Sequence, residues 1–232
     1  MYKRQGLITA ILTDDPWEWR ALWLAGILNL ARGDVEGSLA SFNATYGQVP
    51  GELAPKLALA LACEQAGQPD AAEQLYFVCA RTDANYTAPA AFGLARIRRG
   101  RGDGAGALTS LDLVPPTSRS FVDARRQRAA LLVSSHQGLE SLAKAIDSVS
   151  SVSIDPKDRQ SLTIQVLEAA LAEVKKDGDR PQVLIGGVKA EEKSLRDGLE
   201  GAYRQLAAMT EARQARIELV DAANRVRRRT MT

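Results

Sequence analysis

The feature that most constrains this chain is a spacing of 34 residues at which glycine, small and aromatic positions come round again. Between Trp17 and Pro50 the order is Leu22-x-x-Ala25-Gly26-x-x-Asn29, then Gly33-Asp34, then Ser38-x-x-x-Phe42, then Pro50. Lys56-x-x-Leu59-Ala60-x-x-Cys63, Gly67 and Ala72-x-x-x-Tyr76 follow. Gly26 and Ala60, Gly33 and Gly67, and Phe42 and Tyr76 are therefore each 34 apart. One helix pair cannot bury its apolar faces alone, whereas stacked pairs can, so a fixed period of this length implies a helical array. Small residues at Ala25, Gly26 and Ser38 let two antiparallel helices approach, and Phe42 fills the gap they leave. Gly33 turns the chain and Pro50 ends the second helix.

The order is a relaxed form of the tetratricopeptide signature. A third copy is looser, with Phe92-Gly93 on its first helix, Ala107-x-x-x-Leu111 on its second and Pro115 at its close. With Gly93 as the counterpart of Gly26, the interval to Ala107 is 14 residues, where the first two copies have 12. That alignment puts two extra residues into the turn Arg99-Gly100-Arg101-Gly102-Asp103-Gly104. The expected fold class is all-α: an α-solenoid of helix-turn-helix repeats over 17–116, followed by antiparallel helices over 117–232 that continue it.

Composition suits close-packed helices, being 45% hydrophobic but only 5% aromatic over 232 residues. Thirty basic and 28 acidic side chains leave a net charge of +2, too small for a field that gathers nucleic acid over the whole surface. Even Val183-Leu184-Ile185 is stopped by Gly186-Gly187, so no apolar run is long enough to cross a bilayer, and no secretory leader opens the chain. A cytoplasmic protein without membrane or nucleic-acid partners is expected. Cys63 and Cys79 fall on the facing helices of the second repeat, where small core residues belong, and read as reduced packing residues rather than a bridge.

Met1-Tyr2-Lys3-Arg4-Gln5 is similar to the translated end of a sequencing adapter, which would place the true start of the protein further upstream. Residues 6–16 carry Leu7, Ile8, Ile11 and Leu12 at helical spacing, a truncated helical stub with nothing in the sequence to bury it. Asp14-Asp15-Pro16 reads as the capped start of the next helix. Beyond Pro116, Ser118 to Ser134 and Gln137 to Val149 form another pair, readable as a fourth, degenerate repeat. Asp155-Pro156 then starts a helix closed by Lys175-Lys176 and Gly178. An irregular stretch from Arg180 to Val188 precedes helices over Ala190 to Met209 and Thr210 to about Arg227, and no segment alternates as a strand.

Three phrases narrow this further: Asp14-Asp15-Pro16-Trp17-Glu18-Trp19-Arg20, Pro50-Gly51-Glu52-Leu53-Ala54-Pro55-Lys56-Leu57, and Ala91-Phe92-Gly93-Leu94-Ala95-Arg96. With Val114-Pro115-Pro116-Thr117-Ser118, Leu199-Glu200-Gly201-Ala202-Tyr203 and Arg216-Ile217-Glu218-Leu219-Val220, they resemble the C-terminal tetratricopeptide region of the actinobacterial serine/threonine protein kinase G family. The resemblance runs through nearly the whole chain. It implies a C-terminal fragment whose repeats dimerise, hold the kinase domain of the same protein, and meet a protein substrate or regulatory partner. ATP and magnesium are implied only for that kinase domain. The glycine-rich loop, strand lysine, H-R-D and D-F-G motifs of a kinase do not occur in these residues, and neither does a C-x-x-C pair. No catalytic residue, cofactor or metal site is therefore assigned, and the chain as it stands reads as a non-enzyme. The alternative is a stand-alone cytosolic adaptor that binds a partner peptide.

Gly100-x-Gly102-x-Gly104-x-Gly106 follows a helix rather than a strand and lacks a G-K-[ST] ending, so it reads as a repeat turn and not a phosphate loop. Arg225, Arg227, Arg228 and Arg229 read as a solvated helix end, and His136 as a surface residue. The concave groove lined by first helices is the expected protein-binding surface. By register it takes Arg20, Trp23, Ile27 and Leu30 from the first copy and Ala54, Leu57, Leu61, Glu64 and Gln65 from the second. The third supplies Thr87, Ala90, Leu94, Ile97 and Arg98. The competing reading is that some of these simply pack the next helix. The groove lacks the lysine and asparagine that hold a carboxylate tail in chaperone receptors of this architecture, so an apolar segment fits better.

Overall fold

The computed structural model describes residues 2–135 and 137–227. His136, Arg228 and Arg229 lie outside them. The chain divides into two units at Ser118/Arg119. The first holds α1 (Tyr2–Asp14), α2 (Trp19–Arg32), α3 (Val35–Gln48), α4 (Leu53–Gln65), α5 (Pro69–Thr82), α6 (Ala84–Gly100) and α7 (Gly104–Leu111). The second holds α8 (Phe121–Ser134), α9 (Leu139–Ser150), α10 (Pro156–Asp177), β1 (Arg180–Ile185), β2 (Val188–Ala190), α11 (Glu192–Met209) and α12 (Arg213–Val226).

Three turns of the first unit are built alike. Gly33, Gly67 and Gly102 adopt φ of 74°, 69° and 78°, a left-handed conformation that side chains with a Cβ resist. The next amide then reaches back over the helix end: Asp34 N donates to Asn29 O at 2.9 Å, Gln68 N to Cys63 O at 2.8 Å, and Asp103 N to Arg98 O at 2.9 Å. In the first and third copies an aspartate caps the following helix, Asp34 Oδ1 accepting from Gly37 N at 2.9 Å and Asp103 Oδ1 from Gly106 N at 2.8 Å. The glycines from Gly100 to Gly106 thus span a repeat turn and the helix ends on either side of it.

These bonds correct the third-copy alignment. Because Asp103 stands to Arg98 as Asp34 stands to Asn29, Ala95 and not Gly93 is the counterpart of Gly26 and Ala60. The turn has gained nothing. The additional residue lies between Tyr76 and Ala95, which are 19 apart where Phe42 and Ala60 are 18 apart. Gly93 has another job: a Cβ there would lie 2.5 Å from carbons of the Tyr76 ring, so its absence lets α6 close onto that ring. Gly26 makes the same room for Phe42, also at 2.5 Å. Phe42 and Tyr76 are fully buried, and Ala60, Ala62, Cys79, Ala90 and Leu94 pack with them. Both cysteines are free and buried.

Asp14-Asp15-Pro16 is a second correction. Asp14 is the last residue of α1, Asp15 Oδ1 accepts from Trp17 N at 2.9 Å within a turn, and Glu18 caps α2 through Arg20 N at 3.0 Å. The aspartate-proline signal marks a turn because Glu18, two residues later, competes for the free amides of α2. Leu7 and Ile11 on α1 are exposed.

The second unit packs aliphatic side chains, with Leu142, Val149, Val166, Leu167, Leu195 and Leu199 fully buried. Asp155 caps α10 at Lys157 N, Pro156 holds its first turn, and Gly178 ends it. The stretch read as irregular is an antiparallel hairpin: Arg180 pairs with Ala190, Leu184 with Lys189 and Ile185 with Val188. Pro181 has no amide to donate, and the ladder is interrupted between Arg180 and Leu184. Gly186 and Gly187 turn it with φ of 58° and 85°, while Ile185 and Ala190 are buried. The architecture remains all-α, a helical solenoid-like array carrying this one small hairpin among the described residues.

Candidate functional site

The first helices of the three repeats leave a groove of about 430 Å³. Trp23 on α2, Leu57 on α4 and Phe92 on α6 are its equivalent positions, spaced 34 and then 35 residues apart. Leu61 and Arg96 are likewise equivalent, as are Ala54 and Pro89. Tyr86 lines one end, and Tyr76 reaches the floor from α5. Trp23 also packs on Phe42 at 5.5 Å between ring centroids, tilted by 59°, which ties the wall to the core.

One charged assembly borders this apolar surface. Arg96 donates from Nε to Glu64 Oε1 and from Nη2 to Glu64 Oε2, both at 2.8 Å, and Tyr76 Oη donates to Glu64 Oε2 at 2.8 Å. The Arg96 bonds hold the Glu64 carboxyl below the usual glutamate range, with burial opposing and the Tyr76 bond helping. Burial and then the Glu64 carboxylate push the Tyr76 phenol up. The three side chains tie α4, α5 and α6 together and leave little net charge on the groove.

Of the residues named from the sequence, Trp23, Ala54, Leu57 and Leu61 line the groove. Glu64 stands at its margin through Arg96. Arg20 turns back to Glu18 at 3.1 Å and over the Trp19 ring at 4.6 Å, Ile27 is exposed outside the groove, and Leu30 packs against the core. The third-copy set is out of register. Ala90, Leu94 and Ile97 are buried in the core, and Arg98 bonds Glu73 at 2.8 Å and Ser110 at 3.1 Å. Thr87 donates to Ala80 O at 3.0 Å, and Gln65 is exposed at the end of α4. Alignment on Gly93 moved the set by two residues, about 200° round the helix axis, and so named the opposite, core-facing side. Counting 35 from Leu57 and Leu61 finds Phe92 and Arg96.

A second hollow, of about 740 Å³, lies between α3 and α5 over Leu59 and Cys63 of α4, with a more polar border at Glu36, Asn43 and Lys56. Burial pushes both cysteine thiols up, so neither is a ready nucleophile at neutral pH. Arg225 lies in the last turn of α12 and Arg227 sits 3.9 Å from Glu200. Among the described residues no helix is long and apolar enough to cross a membrane, and no group of three or more His, Cys, Asp or Glu is placed to hold a metal.

Repeated helix pairs of this spacing, curled round an apolar groove, define a tetratricopeptide-type protein. The yeast Tom70 crystal structure shares the fold, superposing with a TM-score of 0.53 at 14% identity over 97% of this chain and 43% of that one. The family model described as "Protein kinase G tetratricopeptide repeat" matches residues 2–230, and the chain belongs to that family. Serine/threonine-protein kinase PknG of Mycobacterium leprae is 36% identical over 213 residues, covering 90% of this chain. PknG of Mycolicibacterium smegmatis is 33% identical over 215 residues, covering 91%. In both cases the match spans 28% of the relative's length.

Proposed function

We propose that this chain is the docking and self-association region of a cytoplasmic serine/threonine kinase, acting as a scaffold and without chemistry of its own. The observation that carries this reading is the groove of the first unit, where Trp23, Leu57, Leu61 and Phe92 present apolar surface from three successive repeats. A row of anchors on a stiff array suits an extended or helical protein segment. Membership of a kinase-associated repeat family supports the kinase setting. The work is geometric: the array holds the kinase domain of the same protein beside a substrate or regulatory partner and raises their effective concentration. ATP and magnesium belong to the kinase domain in this reading.

Titration of the 232-residue chain against the catalytic region of the M. leprae relative tests it, with light scattering for self-association. Saturable binding, weakened at least about tenfold by Trp23→Ala with Phe92→Ala, is the expected result, as is a dimer mass at high concentration. Absence of binding together with a strictly monomeric mass would overturn it.

A further inference from the structure

Glu64 and Arg96 determine what the groove accepts. Among the described residues Arg96 is the only charged side chain in the lining, and two of its donors go to the two oxygens of Glu64 at 2.8 Å. That fork-to-fork pairing is the geometry a guanidinium offers a ligand carboxylate. Tyr76, fully buried beneath, spends its hydroxyl on the same carboxylate and so fixes where it stands. Glu64 therefore occupies the place of an anion from within the protein.

We propose that Glu64 is a built-in occupant of Arg96 that makes the groove selective for an uncharged apolar peptide segment and against one carrying a carboxylate at that point. An acidic segment has two routes, both costly. It can displace Glu64, which leaves that carboxylate beside the incoming one, or it can bind beyond the pair and forgo Arg96. A neutral segment meets no such conflict. Its aliphatic side chains fill the space between Trp23, Leu57, Leu61 and Phe92, and the Glu64–Arg96 pair stays intact. The inference rests on the groove being the docking surface proposed above, and it specifies the chemistry of the occupant.

The test uses the full chain and two synthetic leucine- and proline-containing decapeptides of one sequence. One has a capped, amidated C-terminus and the other a free C-terminal carboxylate. Binding is followed by calorimetry and by tryptophan emission, and Trp23→Phe identifies which emission change belongs to the groove. The native chain is expected to bind the capped peptide about tenfold more tightly, a difference of the size one charged pair sets. Glu64→Gln is expected to bring the two affinities together or reverse their order. Tyr76→Phe, which keeps the ring and both Arg96 bonds to Glu64 but removes the third, is expected to weaken the native preference less than Glu64→Gln does. Equal affinities in the native chain, or a preference untouched by Glu64→Gln, would overturn the inference and leave the groove as a docking surface. Failure of both peptides to bind would overturn the inference, while the docking reading stands or falls on the titration against the catalytic region.

Discussion

The first unit closes three helix pairs with the same left-handed glycine and the same reach-back hydrogen bond, whereas the second joins its two longest helices, α10 and α11, through a hairpin. Their interiors differ in the same way. Phe42 and Tyr76 fill the first unit, and each needs a facing glycine, while the largest fully buried side chains of the second are Leu, Ile and Val. A ring held 2.5 Å from where a Cβ would stand permits one partner residue at that position. Aliphatic contacts can give by a few tenths of an ångström. What recurs in the first unit is the buried ring, met by a glycine of the same repeat at Phe42 and of the next repeat at Tyr76, whereas the aliphatic packing of the second unit tolerates substitution and leaves no such mark.

The sharpest way to break this contrast is to remove a ring. Tyr76→Ala is expected to cost about 3–5 kcal/mol, since it opens a cavity under the groove and strips Glu64 of a donor. Trp17, Trp19 and Trp23 all lie in the first unit, so urea unfolding followed by tryptophan emission reads it there. Leu199→Ala in the second unit is expected to cost about 2–5 kcal/mol, followed by loss of helical circular dichroism. A Tyr76→Ala cost under about 1 kcal/mol would mean that the ring is not the element the repeats close upon.

Glycine substitutions test the same point in finer steps. Gly93→Ala drives a Cβ into the Tyr76 ring and is expected to destabilise by about 1–3 kcal/mol, even though alanine is the better helix former. Gly198 of α11 meets Val188 and Leu167 at 3.3 and 3.4 Å, and alanine there is expected to be close to neutral. Gly201, with nothing within 4 Å, is expected to gain up to about 1 kcal/mol on replacement by alanine. Thermal melts of the three variants should fall in that order. Similar losses at Gly93 and Gly198 would erase the distinction between ring packing and aliphatic packing.

What could be read from the sequence follows the same division. Gly33, Gly67, Phe42 and Tyr76 were legible because each is fixed by a local rule that recurs at 34 residues. The third copy misled because Gly93 answers to Tyr76 on the preceding helix rather than to a position within its own repeat. That slip placed Leu94 and Ile97 in the groove when they belong to the core, and passed over Arg96 and Pro89. The hairpin went unseen because Pro181 argues against a strand and only Ile185 and Ala190 are buried. Gly186-Gly187 between Val183-Leu184-Ile185 and Val188 was the available signal. Nothing periodic announced Glu64 with Arg96, because an ion pair between residues 32 apart leaves no local pattern.

The three equivalent turns offer a smaller test. Alanine at Gly33, Gly67 or Gly102 must adopt φ near 70°, and each change is expected to cost about 1–2 kcal/mol. No atom lies within 4 Å of a Cβ at any of the three, so backbone conformation alone sets the cost and the values should agree. Disagreement by more than about 1 kcal/mol would show that the shared hydrogen bonds do not make the turns equivalent.

The smallest expected effect is the dependence of the first unit on acid. Glu64 is harder to protonate in the folded chain than in the unfolded one, chiefly because Arg96 donates to it. Its contribution is therefore complete above the ordinary glutamate value of about 4.3 and is lost as pH falls through the lower folded value. Water reaches both partners, whose side chains are 22% and 45% exposed, so screening keeps the contribution below about 1 kcal/mol. Glu64→Gln cannot lose a charge on acidification, so its tryptophan-monitored stability should fall less steeply than that of the native chain over the same interval. The second unit offers an internal control in Tyr203, whose phenol donates to Glu168 and is pushed up to about 12, first by burial and then by that carboxylate. A neutral phenol at both ends of an acid titration adds no slope of its own. If Glu64→Gln and the native chain lose stability in parallel below about pH 4.3, the Glu64–Arg96 pair is not what fixes α4 against α6.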